Sequence, residues 1–222
     1  ISANTLSIDQ IENSTLNENV KKAGIAELKC ARGFLAYELF DMYGGLVIAP
    51  LEVLQNPLVD TPLARLTEQE TVDFIEKDLL QAALDLPLPG EATYGRFSQG
   101  LARMLLIRLY LHQKRWEDVE TQANLIIAMN HYILDEDYVG LWTTTPPIES
   151  KEIIFTVPAD YAATSENQWQ LMAAPNNFPD VNGFGTIQSS WQFYDSFEAN
   201  DVRKTNLIAE YVGTDGVTYN RN

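Results

Sequence analysis

Aromatic and amide side chains alternate along residues 161–194, a combination that suits a sugar ligand. Flat aromatic rings stack on the apolar faces of sugar rings, while amides and carboxylates hydrogen-bond the hydroxyl groups. Binding residues also lie on loops more often than on scaffolding elements. The residues that we predict to contact a ligand are Tyr161, Trp169, Asn177, Asp180, Asn182, Phe184 and Trp191. The alternative is that the large rings fill a core, as most Trp and Phe side chains of a domain do.

The sequence offers few groups for catalysis. Its two histidines, His112 and His131, both end predicted helices, where the negative end of the helix dipole already favours a cation. No His-Glu-x-x-His, Gly-x-Ser-x-Gly or phosphate-loop motif occurs. A pair of catalytic carboxylates of the glycosidase type among the 31 acidic residues stays an alternative, because such a pair is defined by the distance between the two groups in space. We therefore expect a protein that is not an enzyme and that needs no cofactor and no metal.

The charge balance argues against some partners. With 31 acidic and 15 basic residues, the formal net charge is −16. A field of this sign repels phosphate backbones and anionic lipid surfaces, so we expect no nucleic-acid partner. Solubility alone accounts for the acidity equally well. The single cysteine, Cys30, lies within a helical pattern and is predicted to be a buried structural thiol.

Helical patterns dominate the chain as far as residue 130. Apolar residues at helical spacing predict helices at about 22–43, 67–84, 98–112 and 116–127. Thr67 and Glu70 form the Thr-x-x-Glu of a capping box, Ser98 is a candidate N-cap, and Gly44 follows the first helix as a stop. The last two helices form a pair that cannot bury its own faces, so this pair must stack on the others.

Several apolar residues are predicted to face the core of this helical stack. In the helix at 22–43, one face carries Leu28, Leu35, Leu39 and Met42, and a second face carries Phe34, Tyr37 and Phe40. Apolar residues on two faces predict a helix that is buried on most sides. Tyr43, Trp116 and Trp142 are likewise interpreted as core residues.

The composition changes beyond residue 131, where loops prevail. Residues 153–157 are predicted to form a single buried strand, residues 191–197 a helix, and residues 203–212 fit a strand. The expected fold is mostly α, with stacked tetratricopeptide-like helix pairs and a loop-rich, minor-β region towards the C-terminus. The predicted division is an N-terminal connection at 1–21, a helical core at 22–130, and a ligand-facing region at 131–222.

Six segments, in order, carry a resemblance to one family. They are residues 26–45 with the closing Tyr43-Gly44-Gly45, residues 67–84, 95–111 and 116–127, residues 152–155, and the Asn200–Lys204 element. Together they resemble the SusD/RagB family of outer-membrane nutrient-binding lipoproteins. One departure is Lys114-Arg115-Trp116, where the family has Gly-Asp-Trp. Family members are also longer at both ends, so the chain is interpreted as an internal fragment.

The resemblance implies a non-catalytic protein that binds oligosaccharide or polysaccharide at the cell surface for uptake. The implied partner is a SusC-like TonB-dependent outer-membrane transporter. The implied location is the outer membrane, with attachment through a lipid anchor that is absent from this chain. Two alternatives stay open: capture of peptides instead of glycans, and a tetratricopeptide-type protein-interaction scaffold.

Overall fold

The computed structural model describes residues 1–142, 150–157, 169–179 and 181–221, which fall into two compact units. The first unit contains residues 1–133 and 153–156, and the second contains residues 134–152 and 157–222. The helices of the first unit are α1 (Ser2–Glu12), α2 (Glu18–Tyr43), α3 (Leu51–Leu54), α4 (Glu68–Asp85), α5 (Gln99–His112) and α6 (Trp116–Ala128). The predicted mostly α fold is confirmed.

Local sequence signals set the ends of these helices as predicted. The Thr67 hydroxyl accepts a hydrogen bond from the Glu70 backbone N–H, and the Glu70 carboxylate accepts one from the Thr67 N–H, which completes the capping box of α4. The Ser98 hydroxyl accepts from the Leu101 backbone N–H and so caps α5. Gly44 ends α2 with a φ of +71°, a left-handed conformation that costs glycine little.

Apart from the short α3, which contacts α1, the helices of the first unit pack in chain order: α1 contacts α2, α2 contacts α4, α4 contacts α5, and α5 contacts α6. The core forms where these helices meet. Its fully buried side chains include Cys30, Ile75, Leu79, Leu106 and Leu109. Because the packing is between successive helices, the helix pairs stack as the tetratricopeptide-like prediction required.

Of the two predicted apolar faces of α2, the second meets the core, since Phe40 is buried and Phe34 and Tyr37 pack against the core cluster, but most of the first does not. The residues that face the core are Ala26, Cys30, Gly33, Ala36 and Phe40, whereas Leu35, Leu39 and Met42 are exposed. Small residues occupy much of this face because they allow α4 to pack closely against α2. A Cβ atom at Gly33 would lie only 2.8 Å from Cδ2 of Leu79. The prediction that α2 is buried on most sides was therefore wrong.

The predicted strand at 153–157 is also wrong. Within the described residues, the β-structure is one antiparallel pair, β1 (Tyr211–Val212) with β2 (Thr218–Tyr219). Ile154 and Phe155 instead pack against the helical core, and the Phe155 ring lies 5.5 Å from that of Phe97. The apolar run is explained by burial against helices, which requires no partner strand.

Three aromatic residues assigned to the core are exposed, namely Tyr43, Trp116 and Trp142. Trp116 is the first residue of α6 and is 62% exposed, because α6 turns Gln122 and Ile126 inward. Helical spacing alone does not say which face of a short helix meets its neighbour.

Cys30 is completely buried, as predicted, and this has a chemical consequence. Burial, with smaller contributions from the charges of Glu27 and Asp78, raises the pKa of the Cys30 thiol to about 12. Because the thiolate is the reactive form, we expect labelling at pH 8 to be roughly a thousandfold slower than that of a free thiol. A chromogenic disulfide reagent measures this rate, with the urea-unfolded protein as the control. Rapid labelling of the folded protein would contradict the assignment.

The second unit consists of short elements. They are a 3-10 helix (Gly140–Trp142), α7 (Trp169–Ala173), α8 (Trp191–Asp195), a second 3-10 helix (Val202–Asn206) and the β1–β2 pair. The helix predicted at 191–197 is confirmed as α8, which ends two residues earlier. Residues 203–206 of the segment at 203–212 belong to the second 3-10 helix, and only its last two residues are a strand.

Candidate functional site

Those predicted ligand residues that the structure describes belong to α7, to the loop after α7 and to α8 of the second unit. Tyr161 and Asp180 lie outside the described residues. Trp169 begins α7, but its side chain also lies outside the described part of the structure. Asn177, Asn182, Phe184 and Trp191 are described.

Phe184 sits on a loop that is hydrogen-bonded to α7. Its backbone N–H donates to the Leu171 carbonyl at 2.6 Å, and the N–H of Gly185 donates to the Ala174 carbonyl at 2.9 Å. These bonds hold the backbone while the Phe184 side chain is 69% exposed. Asn182, two residues earlier, is exposed as well. The loop therefore presents one ring and one amide to solvent.

Asn177 has a structural role that the sequence did not predict. Its carbonyl accepts from the Thr214 N–H, and its side-chain oxygen accepts from the Tyr211 hydroxyl, both at 2.9 Å. Tyr211 in turn stacks on Tyr219 with the ring centroids 5.2 Å apart. Asn177 thus ties the loop after α7 to the β1–β2 hairpin, so its side-chain oxygen is already engaged.

The hairpin also holds a polar pair. The Tyr219 hydroxyl donates to Asp215 at 2.7 Å, and the N–H of Val217 donates to the same carboxylate at 3.0 Å. The bond from Tyr219 is the largest cause that lowers the pKa of Asp215. It also raises the pKa of Tyr219, because an ionised phenol could no longer donate to the carboxylate.

Trp191 is the first residue of α8, which Ser190 caps, and Arg221 lies over the Trp191 ring. The Ser190 hydroxyl accepts from the Phe193 N–H at 3.2 Å, which fixes the first turn. The guanidinium carbon of Arg221 lies 5.2 Å from the Trp191 ring centroid, and Arg221 also pairs with Asp195 at 2.8 Å. The Trp191 side chain is 37% exposed, so part of its surface stays available.

Two further cations lie over the rings that follow. Lys204 Nζ is 4.5 Å from the Tyr194 ring centroid, and the Arg203 guanidinium is 5.5 Å from that of Phe197. The Asn200–Lys204 element places them: Asp201 caps the second 3-10 helix and binds the Arg203 side chain. The bond from Arg203 lowers the pKa of Asp201, which keeps the carboxylate ionised.

The segment from α8 to the second 3-10 helix therefore carries two exposed rings, Trp191 and Phe193, with cations over Trp191, Tyr194 and Phe197. Such a surface can stack apolar sugar faces and hydrogen-bond hydroxyl groups. Sequence reasoning missed Arg203, Lys204 and Arg221, although the Asn200–Lys204 element was the signal for two of them. The position of Arg221 has no sequence signal, because only the folded chain brings it to Trp191.

The two histidines have ordinary neighbours. The His112 ring packs on Phe40 at 5.1 Å, and the His131 ring packs on Tyr132 at the same distance. Among the described residues, no group of three or more His, Cys, Asp or Glu side chains is placed to hold a metal ion. The described helices include none that is long and apolar enough to cross a membrane.

Comparison with known proteins rests on structure. No known family profile matches the chain, and no curated protein matches its sequence. A SusD-like protein of Bacteroides fragilis shares 26% identity, with a TM-score of 0.73 over 88% of this chain and 39% of that one.

Two further solved structures are similar in fold. A SusD superfamily protein of Parabacteroides distasonis has a TM-score of 0.78 and 21% identity, over 91% of this chain and 45% of that one. Surface glycan-binding protein A of Bacteroides thetaiotaomicron, solved in complex with laminarihexaose, has a TM-score of 0.77 and 17% identity, over 94% and 46%. This chain therefore spans less than half the length of all three structures.

Stacked tetratricopeptide-like helix pairs and a loop-rich unit define the class of protein. That fold is the SusD-like fold, and the family resemblance read from the sequence is confirmed.

Proposed function

We propose that this chain belongs to a cell-surface protein that captures oligosaccharide or polysaccharide without cleaving it. The observation that carries the proposal is the fold shared with a surface glycan-binding protein whose structure holds laminarihexaose. The exposed rings of Phe184 and Trp191 support it, because they supply stacking surfaces in the loop-rich unit. The captured glycan passes to a SusC-like TonB-dependent transporter, and a lipid anchor holds the protein at the outer membrane.

Trp191→Ala is expected to weaken glycan binding at least tenfold, since truncating an aromatic hot-spot residue costs about 2 kcal/mol or more and about 1.4 kcal/mol is already tenfold. Retardation in native gels cast with laminarin and a panel of other polysaccharides measures this loss. Trp116→Ala is the matched control, because Trp116 is an exposed tryptophan at the start of a helix in the first unit. If the Trp191→Ala and Trp116→Ala variants are retarded to the same extent, Trp191 does not contribute to the glycan site.

The same panel separates the functional classes. Release of reducing sugar from a retarded glycan would make the protein an enzyme. Retardation by no glycan, together with binding of extended peptides, would favour peptide capture. Co-purification of a TonB-dependent transporter with the membrane-attached parent protein tests the transport role and the location together.

One observation favours the interaction-scaffold alternative. Leu35, Leu39 and Met42 form an exposed apolar stripe on α2, although α2 is a central helix of the stack. Exposed apolar surface of this kind is typical of protein contacts. Loss of a protein partner in Leu39→Asp, with glycan retardation unchanged, would show that the helical unit docks a protein while the second unit binds sugar.

A further inference from the structure

The first unit contains a cleft of about 440 Å³. It lies between the loop after α4, the first half of α5 and the end of α6. Leu88, Leu125 and Met129 form its apolar part, and Gln99 and Arg103 are among its polar side chains. All of its lining residues belong to the first unit. A volume of this size suits a small molecule, since ligand pockets occupy roughly 300–1,000 Å³.

Arg103 is the unusual residue of this cleft. Its Nη1 donates to the Gln122 side-chain oxygen at 2.9 Å, and its Nη2 donates to the Ala83 carbonyl at 3.4 Å. Its Nε–H is buried and has no hydrogen-bond partner within the described chain. An arginine carries about five N–H donors, so these bonds leave the group undersatisfied. Burial lowers the pKa of Arg103, because desolvation disfavours the cation.

Arg103 differs from Arg32 and Arg115, the other partly buried arginines of the first unit, in lacking a carboxylate partner within the part of the chain that the structure describes. The exposed Arg65 also lacks one there and donates only to the carbonyls of Tyr43 and Gly45. Arg32 pairs with Asp78, Arg96 with Glu27, and Arg115 with Glu76. Arg103 has no carboxylate partner among the described residues, although the chain has 31 acidic residues to 15 basic ones. A partly buried cation is costly when no anion compensates it, and its two oxygen contacts are neutral acceptors. The cleft therefore contains the positive charge of Arg103 next to the apolar side chains of Leu88, Leu125 and Met129.

We infer that the cleft binds a small organic monocarboxylate. The carboxylate pairs with the Nη N–H groups of Arg103 that Gln122 and Ala83 leave free, because the unpaired Nε–H is buried out of reach. The apolar part of the ligand rests on Leu88, Leu125 and Met129. Arginine is suited to this role, because its planar donors match the two oxygens of a carboxylate. Glu91 also lines the cleft, and its charge disfavours a ligand with two negative charges. The shared ligand chemistry is one carboxylate with an apolar part, as in a sugar acid, an acylated amino acid or a short fatty acid.

Isothermal titration calorimetry on the full chain tests this site. The probes are glucuronate, N-acetyl-leucine and hexanoate, each with its methyl ester as the uncharged control. We expect at least one acid to bind at least tenfold more tightly than its ester, and the identity of that acid distinguishes the sources. No binding by any acid, or equal binding of acid and ester, would overturn the inference.

The variants locate the binding. Arg103→Gln is expected to reduce acid binding at least tenfold, whereas Arg108→Gln, which removes an exposed positive charge from the same helix, leaves it unchanged. Met129→Trp fills the cleft but leaves the charge of Arg103 in place, and it should also abolish binding. This variant tests the site even if Arg103→Gln does not fold.

Glu91→Gln is expected to tighten binding a few-fold. Equal losses in the Arg103 and Arg108 variants would mean nonspecific attraction. None of these outcomes depends on glycan capture by the second unit.

Discussion

Asp78→Asn is expected to lower the free energy of unfolding by about 3–5 kcal/mol. Asp78 is 3% exposed and accepts two hydrogen bonds from Arg32, at 2.6 and 2.9 Å. Arg32 also donates to the Thr5 hydroxyl at 2.8 Å, so one guanidinium links α1, α2 and α4. Removing the carboxylate charge leaves Arg32 buried and uncompensated, and that penalty exceeds the loss of one hydrogen bond.

Urea denaturation followed by circular dichroism measures this change. Asp73→Asn is the matched control, because Asp73 is an exposed carboxylate on the same helix. The double variant Arg32→Met/Asp78→Leu should recover most of the lost stability, since apolar pairs of similar size often replace buried ion pairs without cost. A loss below about 1 kcal/mol in Asp78→Asn would mean that the pair is solvated like a surface salt bridge.

Leu79→Ala should destabilise the first unit by about 2–5 kcal/mol. Leu79 is completely buried at the crossing of α2 and α4, where it fills the space that Gly33 leaves. The truncation opens a cavity that the surrounding helices cannot close completely, so the cost exceeds the transfer of the lost methyl groups. The adjacent Leu80 is exposed, and Leu80→Ala is expected to cost less than about 1 kcal/mol.

Gly33→Ala tests the same crossing from the other helix. Alone, it crowds Leu79 and is expected to cost about 1–3 kcal/mol. In the Leu79→Ala background the added methyl group occupies the cavity, so the cost should shrink or reverse. Additive losses in the double variant would show that the two side chains do not share this space.

The candidate site was only partly predictable. The sequence placed the aromatic and amide residues in the loop-rich part, and Phe184, Asn182 and Trp191 do reach solvent there. Asn177 looked like a ligand residue, yet it braces the hairpin through Tyr211. An amide offers the same donors and acceptors to a sugar and to a neighbouring tyrosine, so residue type alone does not separate the two roles. The contacts of Tyr161 and Asp180 stay predictions.

Local chemistry made the helix ends predictable from sequence. The Thr67–Glu70 box, the Ser98 cap and the Gly44 stop act within one turn of chain, so the residues that make them are adjacent in sequence. The family resemblance drew on the same local patterns, in a fixed order along the chain.

Tertiary packing decided what lies inside. Gly33 and Cys30 lie on the buried face of α2, whereas the larger Leu35 and Met42 are exposed. Small residues allow α2 and α4 to pack closely, and the apolar pattern of α2 alone does not reveal this contact. Ile154 and Phe155 are apolar in a strand or in a packed loop, and contact with the helical core made them part of a packed loop. Arg103 and Arg221 acquired their surroundings in the same way. A sequence specifies which groups are near along the chain, whereas charge compensation and close packing depend on which groups meet in space.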